Sequence, residues 1–221
     1  MKKRKISRTK LFSFVLLGVG VVFLVFYYQA ILIGAGRFLA PEGVGRADVV
    51  ILEGTELIRE KAIDTGKGLL STGRAHRLVL VYQKSEDEMI FGRPLDYNLS
   101  LGQKLEDLGL RKDQFQILEV PKKHPITLFE AKCVLSNLSK NGARSAILLS
   151  EDFHTRRSYW TYKQVGIPLG IEIIPCPYFM TYRNDTWWQQ ANGIRNFIGE
   201  SLKFFYYLLR GYIPLKSLLF A

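Results

Sequence analysis

Between Leu11 and Gly36 the chain has 26 consecutive residues with no Asp, Glu, Lys, Arg or His. A helix needs about 20 such residues to cross a hydrocarbon core of ~30 Å, and only a helix satisfies every backbone amide there by itself. Lys2, Lys3, Arg4, Lys5, Arg8 and Lys10 stand directly before the run. Basic residues flanking a span set its orientation, which places the N-terminus in the cytoplasm and the rest of the chain on the opposite side. The competing reading is a cleaved signal peptide, but its apolar core is ordinarily only about 7–15 residues. The small residues Gly34, Ala35 and Gly36 make a weak processing site.

The organisation read from the sequence is therefore a basic cytoplasmic tail (1–10), one transmembrane helix (11–33), a linker (34–45), an α/β domain (46–200) and an aromatic-rich C-terminal helix and tail (201–221). Six of the 31 Lys and Arg residues lie in the first ten positions, so the net charge of +11 is largely a topology signal. No aromatic platform or recognition helix accompanies those charges, and nucleic acid is not an expected partner.

From residue 46 onward short apolar runs alternate with longer stretches of helical character. DVVILEG (48–54), HRLVLVYQ (76–83), FQILEV (115–120), RSAILLS (144–150) and IEIIPCP (171–177) read as strands buried on both faces. Helices are expected near 56–72, 96–108, 126–140, 154–165 and 187–209. Gly73, Gly109, Gly142 and Gly166 each follow such a segment, where glycine ends a helix at low cost. The rhythm predicts an α/β, Rossmann-like three-layer domain with a mostly parallel sheet, and a polar loop over 84–97.

Ligands of such sheets bind beyond the carboxyl ends of the strands. The densest group there is Ser150-Glu-Asp-Phe-His-Thr-Arg-Arg-Ser158, in which His154 suits proton transfer near neutral pH and Arg156 or Arg157 suits a phosphate or carboxylate. Thr127 and Glu130 have capping-box spacing and also border this edge, next to His124. After the first strand come Glu53, Gly54, Thr55, Glu56 and Arg59. Glu53 with Glu130 is the one pair suggesting a divalent cation. Neither a dinucleotide fingerprint nor a P-loop is present, and no HExxH zinc motif or Gly-x-Ser-x-Gly elbow. Cys133 and Cys176 form no CxxC pair, although a disulfide outside the cytoplasm is open to them.

The end of the chain carries Trp187, Trp188, Arg195 and Glu200, then aromatic and leucine-rich residues interrupted by Lys203, Arg210 and Lys216. Those charges argue against a second span. Aromatic bodies with basic heads suit an amphipathic helix packed on the domain with its tip at the membrane interface, or a helix that only packs on the core.

ADVVILEG, the T-x-x-E of TLFEA, the S-x-x-x-H-x-x-R of SEDFHTRR and the tail WW…GIRNFIGE together resemble the YdcF-like family, whose membrane-anchored members include the SanA and ElyC envelope proteins. The resemblance covers about residues 46–210, with Ala131 standing where many relatives carry asparagine. It implies a Rossmann-like domain on the periplasmic or extracellular side of a bacterial cytoplasmic membrane. It also implies a pocket in which His154, Glu130 and Glu53 act catalytically and Arg59, Thr127, Ser150 and Arg157 hold substrate. The function it implies is binding or processing of a phosphorylated cell-envelope precursor or lipid carrier. The expected partners are the lipid bilayer and that precursor or a membrane protein. The alternative is a noncatalytic envelope scaffold, favoured by the lack of a recognised nucleophile or metal set.

Overall fold

The computed structural model describes residues 8–54, 59–84, 89–90, 93–94 and 97–219. Thr55 and Glu56 lie outside these residues.

Five strands form the sheet: β1 (Val49–Leu52), β2 (Arg77–Lys84), β5 (Phe115–Pro121), β6 (Ser145–Glu151) and β7 (Glu172–Tyr178). Their order is β5-β2-β1-β6-β7 and every pairing is parallel. Within 84–97, where the sequence suggests only a loop, β3 (Met89–Ile90) and β4 (Arg93–Pro94) pair antiparallel.

Alternate residues of each strand feed opposite cores, as the strand period of two demands. Val49 and Ile51 of β1, with Ala146 and Leu148 of β6, face one core. There they meet Ala131, Val134, Leu135 and Leu138 of α4 (Ile126–Lys140) and Tyr159, Trp160 and Tyr162 of α5 (Thr155–Gly166). Val50, Leu52, Ile147 and Leu149 face the other, against Ala62, Ile63 and Leu69 of α2 (Glu60–Ser71) and Leu105 of α3 (Tyr97–Asp107). Helices cover both faces, and the domain is a doubly wound, Rossmann-like α/β sheet. Cys133 and Cys176 are free and belong to opposite cores, which forbids a disulfide between them.

α5 does not end at Gly166 as a left-handed glycine stop. Gly166 keeps a right-handed conformation, φ −73°, and a 3-10 turn carries the chain to Gly170 at φ +66°. Gly166 serves close approach instead, because a Cβ there would lie 2.8 Å from Ile171 O.

The first helix, α1 (Arg8–Leu39), continues through residues 34–39, where the sequence suggests a linker. It bends by 56° between Phe12–Gly20 and Val25–Leu39. No single straight helix among the described residues is long and apolar enough to cross a membrane; the bent pair passes by length and composition. At its end Leu39 and Ala40 are buried with Phe153, Tyr182 and Trp187. The last helix, α6 (Ala191–Leu209), runs unbroken across residue 200, so the aromatic-rich end is continuous with the α/β domain.

Candidate functional site

The chain winds outward from β1 through β2 to β5, then returns to place β6 on the other side of β1. Loops leaving β1 and β6 therefore diverge and leave a crevice at the carboxyl ends of the two central strands, where open α/β sheets bind ligands. Glu53 follows β1 and its amide donates to Leu149 O of β6 at 3.2 Å. After β6 a 3-10 turn, Asp152–His154, leads into α5 and brings His154, Arg157 and Ser158 over the same crevice. Asp152 adopts φ +51°, the one positive φ among described residues other than glycine. Such a conformation costs free energy, less for aspartate than for most residues, and strained positions cluster at functional sites.

Glu53 is 4% exposed and three side chains hydrogen-bond its carboxylate. Ser150 Oγ donates to its Oε2 at 2.5 Å, Ser158 Oγ to its Oε1 at 2.6 Å, and His154 Nε2 lies 3.0 Å from Oε1. Burial alone raises a carboxyl pKa, but the charge of His154 and these hydrogen bonds outweigh it and hold Glu53 below its ordinary value.

On the other side of the imidazole, Nδ1 lies 3.3 Å from Glu200 Oε2 and 2.6 Å from Arg157 Nη2. The second contact suits an accepting nitrogen and the first a protonated one. Burial also opposes charge on the ring, as does Arg157, but Glu53 and Glu200 flank it and together raise its pKa to about 9. Two carboxylates against one guanidinium favour charge on the ring, whereas the 2.6 Å contact with Arg157 Nη2, which only donates, requires a bare Nδ1.

Arg157 joins three helices. Its Nη1 donates to Thr127 Oγ1 on α4 at 2.8 Å, its Nε and Nη2 to Glu200 Oε2 on α6 at 3.1 and 2.9 Å, and its guanidinium stacks 4.9 Å from the Tyr207 ring. Lys203 Nζ donates to the other Glu200 oxygen at 2.9 Å. Burial works against ionised Glu200, yet His154, Arg157 and Lys203 hold its pKa far below the ordinary value.

Glu130 is turned the other way electrically. It accepts from Tyr162 Oη at 2.8 Å, from the Gly54 amide at 3.2 Å and from Gln83 Nε2. Burial first, then the Glu53 anion, raise its pKa to about 7 despite those donors.

Above this network opens a cleft of about 580 Å³. Its walls include Glu53, His154, Arg157 and Thr127, with Lys122 and Lys203 adding positive charge, His124 an imidazole, and Tyr206, Tyr207 and Tyr212 apolar area. Pro125, Ile126 and Thr127 also line it; they are the start of α4, where no side chain caps the helix. The first-turn amides there favour an anion.

Of the expected site residues, Glu53, Thr127, Ser150, His154 and Arg157 converge within this network. Glu130 belongs to it but lies behind Gly54 and Gln83, 1% exposed. It positions the loop after β1 rather than facing the cleft. Thr127 and Glu130 are not a capping box, because Thr127 accepts from Arg157 and Glu130 reaches across to Gly54, Gln83 and Tyr162. Arg59 is exposed at the start of α2 and is not among the cleft residues. Arg156 points away to structure: its donors reach Phe38 O and Ser217 O, tying the end of α1 to the tail, and burial lowers its pKa to about 10. Glu53 and Glu130 do not suit a shared cation, since serine, histidine, glutamine, tyrosine and amide donors occupy their oxygens. Among the described residues no group of three or more His, Cys, Asp or Glu is placed to hold a metal.

Sequence reasoning missed the site roles of Glu200, Ser158, Lys203, Gln83 and Tyr162. Ser158 carried one signal, four residues after His154 and hence on the same helical face.

Comparison with family models, with curated proteins and with solved structures gives no match to this chain.

Proposed function

We propose that this protein binds, and acts by acid catalysis on, an anionic phosphate-bearing ligand at the carboxyl edge of its sheet. The observation that carries the reading is the placing of His154 between Glu53 and the Arg157–Glu200 pair, on the wall of one open cleft that the uncapped start of α4 also lines. A phosphate seated there meets the α4 amides, Lys203 and the Arg157 guanidinium. In hydrolysis a water attacks phosphorus as the bond to the leaving oxygen breaks, the imidazolium protonates that oxygen, and the proton shed by the water returns to the imidazole or to solvent. Glu53 keeps the imidazole oriented and charged. Glu200 is the group that an incoming phosphate competes with for Arg157.

The same reading makes the protein a single-pass, YdcF-like envelope protein, with α1 as anchor, the N-terminus in the cytoplasm and the domain on the periplasmic or extracellular side. Its support is the basic flank, the apolar run, and the exposure of large apolar side chains on α1 from Phe12 to Ile31. The ligand class that follows is a phosphorylated envelope precursor or lipid carrier.

One observation favours the noncatalytic alternative. Arg157 is engaged at once by Thr127, Glu200 and Tyr207, so the network also serves to bind α4, α5 and α6 together. Calorimetric titration of the full chain in nanodiscs with undecaprenyl phosphate separates the two. Saturable binding, weakened about tenfold or more by Arg157→Lys through loss of a forked charge-assisted contact, supports the ligand site. No binding by a folded protein favours the scaffold.

A further inference from the structure

α6 carries an apolar stripe that neither core uses. Phe204 and Tyr207 face inward, whereas Ile194, Ile198, Leu202, Phe205 and Leu209 are 41%, 53%, 67%, 53% and 87% exposed. Their spacing of three and four residues places them on one face of the helix. A continuous exposed stripe of this kind marks an interaction surface rather than ordinary solvent-facing helix.

Continuity says what covers it. α6 packs on the last turns of α1: the Phe204 ring meets Phe38 edge-on at 5.8 Å, and Trp187, stacked 4.1 Å from Phe197, donates its indole N–H to Leu32 O at 3.0 Å. Arg156 bonds both Phe38 O and Ser217 O, which brings the exposed Leu215 and Leu219 to the same end of α1. The apolar surface of α1, exposed from Phe12 to Ile31, thus passes directly into the region of α6 and the tail.

Charge agrees with that continuity. Arg195, Arg210 and Lys216 are exposed along α6 and the tail, and Arg37 borders a small hollow where α1 ends, in which Arg183 is paired with Asp185. The only acidic residue from 191 to 219 is Glu200, which is held by Arg157 and Lys203. Apolar side chains bordered by basic heads complement an anionic headgroup layer.

We infer that α6 and the tail lie in the headgroup layer of the bilayer that α1 enters, with the Ile194–Leu209 stripe covered by anionic phospholipid. This rests on α1 being the anchor. It also narrows the ligand: α6 lends Lys203, Tyr206 and Tyr207 to the cleft wall, so with α6 at headgroup level the cleft is within reach of an amphiphile whose phosphate meets Arg157 while its chain stays in the bilayer.

Nitroxide labels on the full chain in phosphatidylethanolamine–phosphatidylglycerol nanodiscs test it. In a Cys133→Ser, Cys176→Ala background, Val25→Cys reports the anchor, Leu202→Cys and Leu209→Cys the stripe, and Ser71→Cys the opposite face of the domain. The expected result is an oxygen-to-nickel-chelate collision ratio several-fold higher at 25, 202 and 209 than at 71, falling at 202 when phosphatidylcholine replaces both lipids. A label at 25 in hydrocarbon with labels at 202 and 209 as nickel-accessible as 71 overturns the inference and leaves the anchor standing. Labels at 202 and 209 shielded from both reagents also overturn it, since a protein surface such as a second copy then covers the stripe. A water-exposed label at 25 removes the anchor reading itself. An unchanged ratio at 202 in phosphatidylcholine overturns the assignment to anionic lipid.

Discussion

Glu53 and His154, 101 positions apart in the chain, meet at 3.0 Å where β1 and β6 end side by side. The contact requires the central strands to be neighbours, and it puts a charged imidazole against a buried carboxylate at the sheet's ligand-binding edge. Replacing Glu53 by Gln keeps the shape but removes the anion. We expect the His154 pKa to fall from about 9 toward 6.5, read by the pH dependence of its ring nitrogen resonances. Stability should drop by about 3 kcal/mol, because a buried cation loses its partner.

The pH dependence of stability has opposed parts. Glu53 and Glu200 have lowered pKa values, so their stabilisation is present above about 4.5 and is lost as pH falls through their folded values. Glu130 is raised from 4.5 to about 7, so its contribution is full below 4.5 and is lost as pH rises to 7. His154 is raised from 6.5 to about 9, and its contribution is lost between those values. In denaturant unfolding of the full chain in micelles, Glu130→Gln should lessen the decline between pH 5 and 7 and leave the decline between 7 and 9 unchanged. An unchanged slope between 5 and 7 would refute the assignment to Glu130.

The strands were readable because burial on both faces forces uninterrupted apolar runs such as Val49–Leu52. Their carboxyl ends were readable with them, which is why Glu53, Ser150, His154 and Arg157 stood out. Glu200 did not, because its role depends on α6 folding back over α5, and nothing local in GIRNFIGE specifies that contact. Thr127 and Glu130 misled for a physical reason: the hydroxyl and carboxylate that cap a helix also serve long-range hydrogen bonds, and spacing alone does not separate the two. Gly166 misled similarly, since glycine is required both for left-handed turns and for close backbone approach.

Asp152 at φ +51° gives a test in which the usual preference is reversed. Asp152→Gly and Asp152→Ala both lose the hydrogen bond from Asn196, so their difference isolates the backbone. Glycine should be the more stable by about 1 kcal/mol, although alanine is normally the better residue beside a helix. Equal stabilities in thermal or denaturant unfolding would contradict a left-handed conformation at this position.

Gly36 fixes the end of α1 to the domain. A Cβ there would lie 2.5 Å from Asn184 Oδ1 and 2.9 Å from Trp187 Nε1, whereas nothing lies within 4 Å of one at Gly34. Gly36→Val should cost about 1–3 kcal/mol through overpacking and alter the near-ultraviolet signal of the tryptophans, with faster proteolysis in residues 40–48. Gly34→Val should leave both unchanged.

The central claim is that a charged His154 faces a cleft made for a phosphate-bearing ligand. Its most direct test is the nitrogen-15 spectrum of His154 in the full chain at pH 7.5, taken with and without undecaprenyl phosphate in nanodiscs. The account predicts two protonated ring nitrogens whose resonances move saturably as the ligand is added. A singly protonated ring, or an imidazolium that the ligand leaves unmoved, would contradict it.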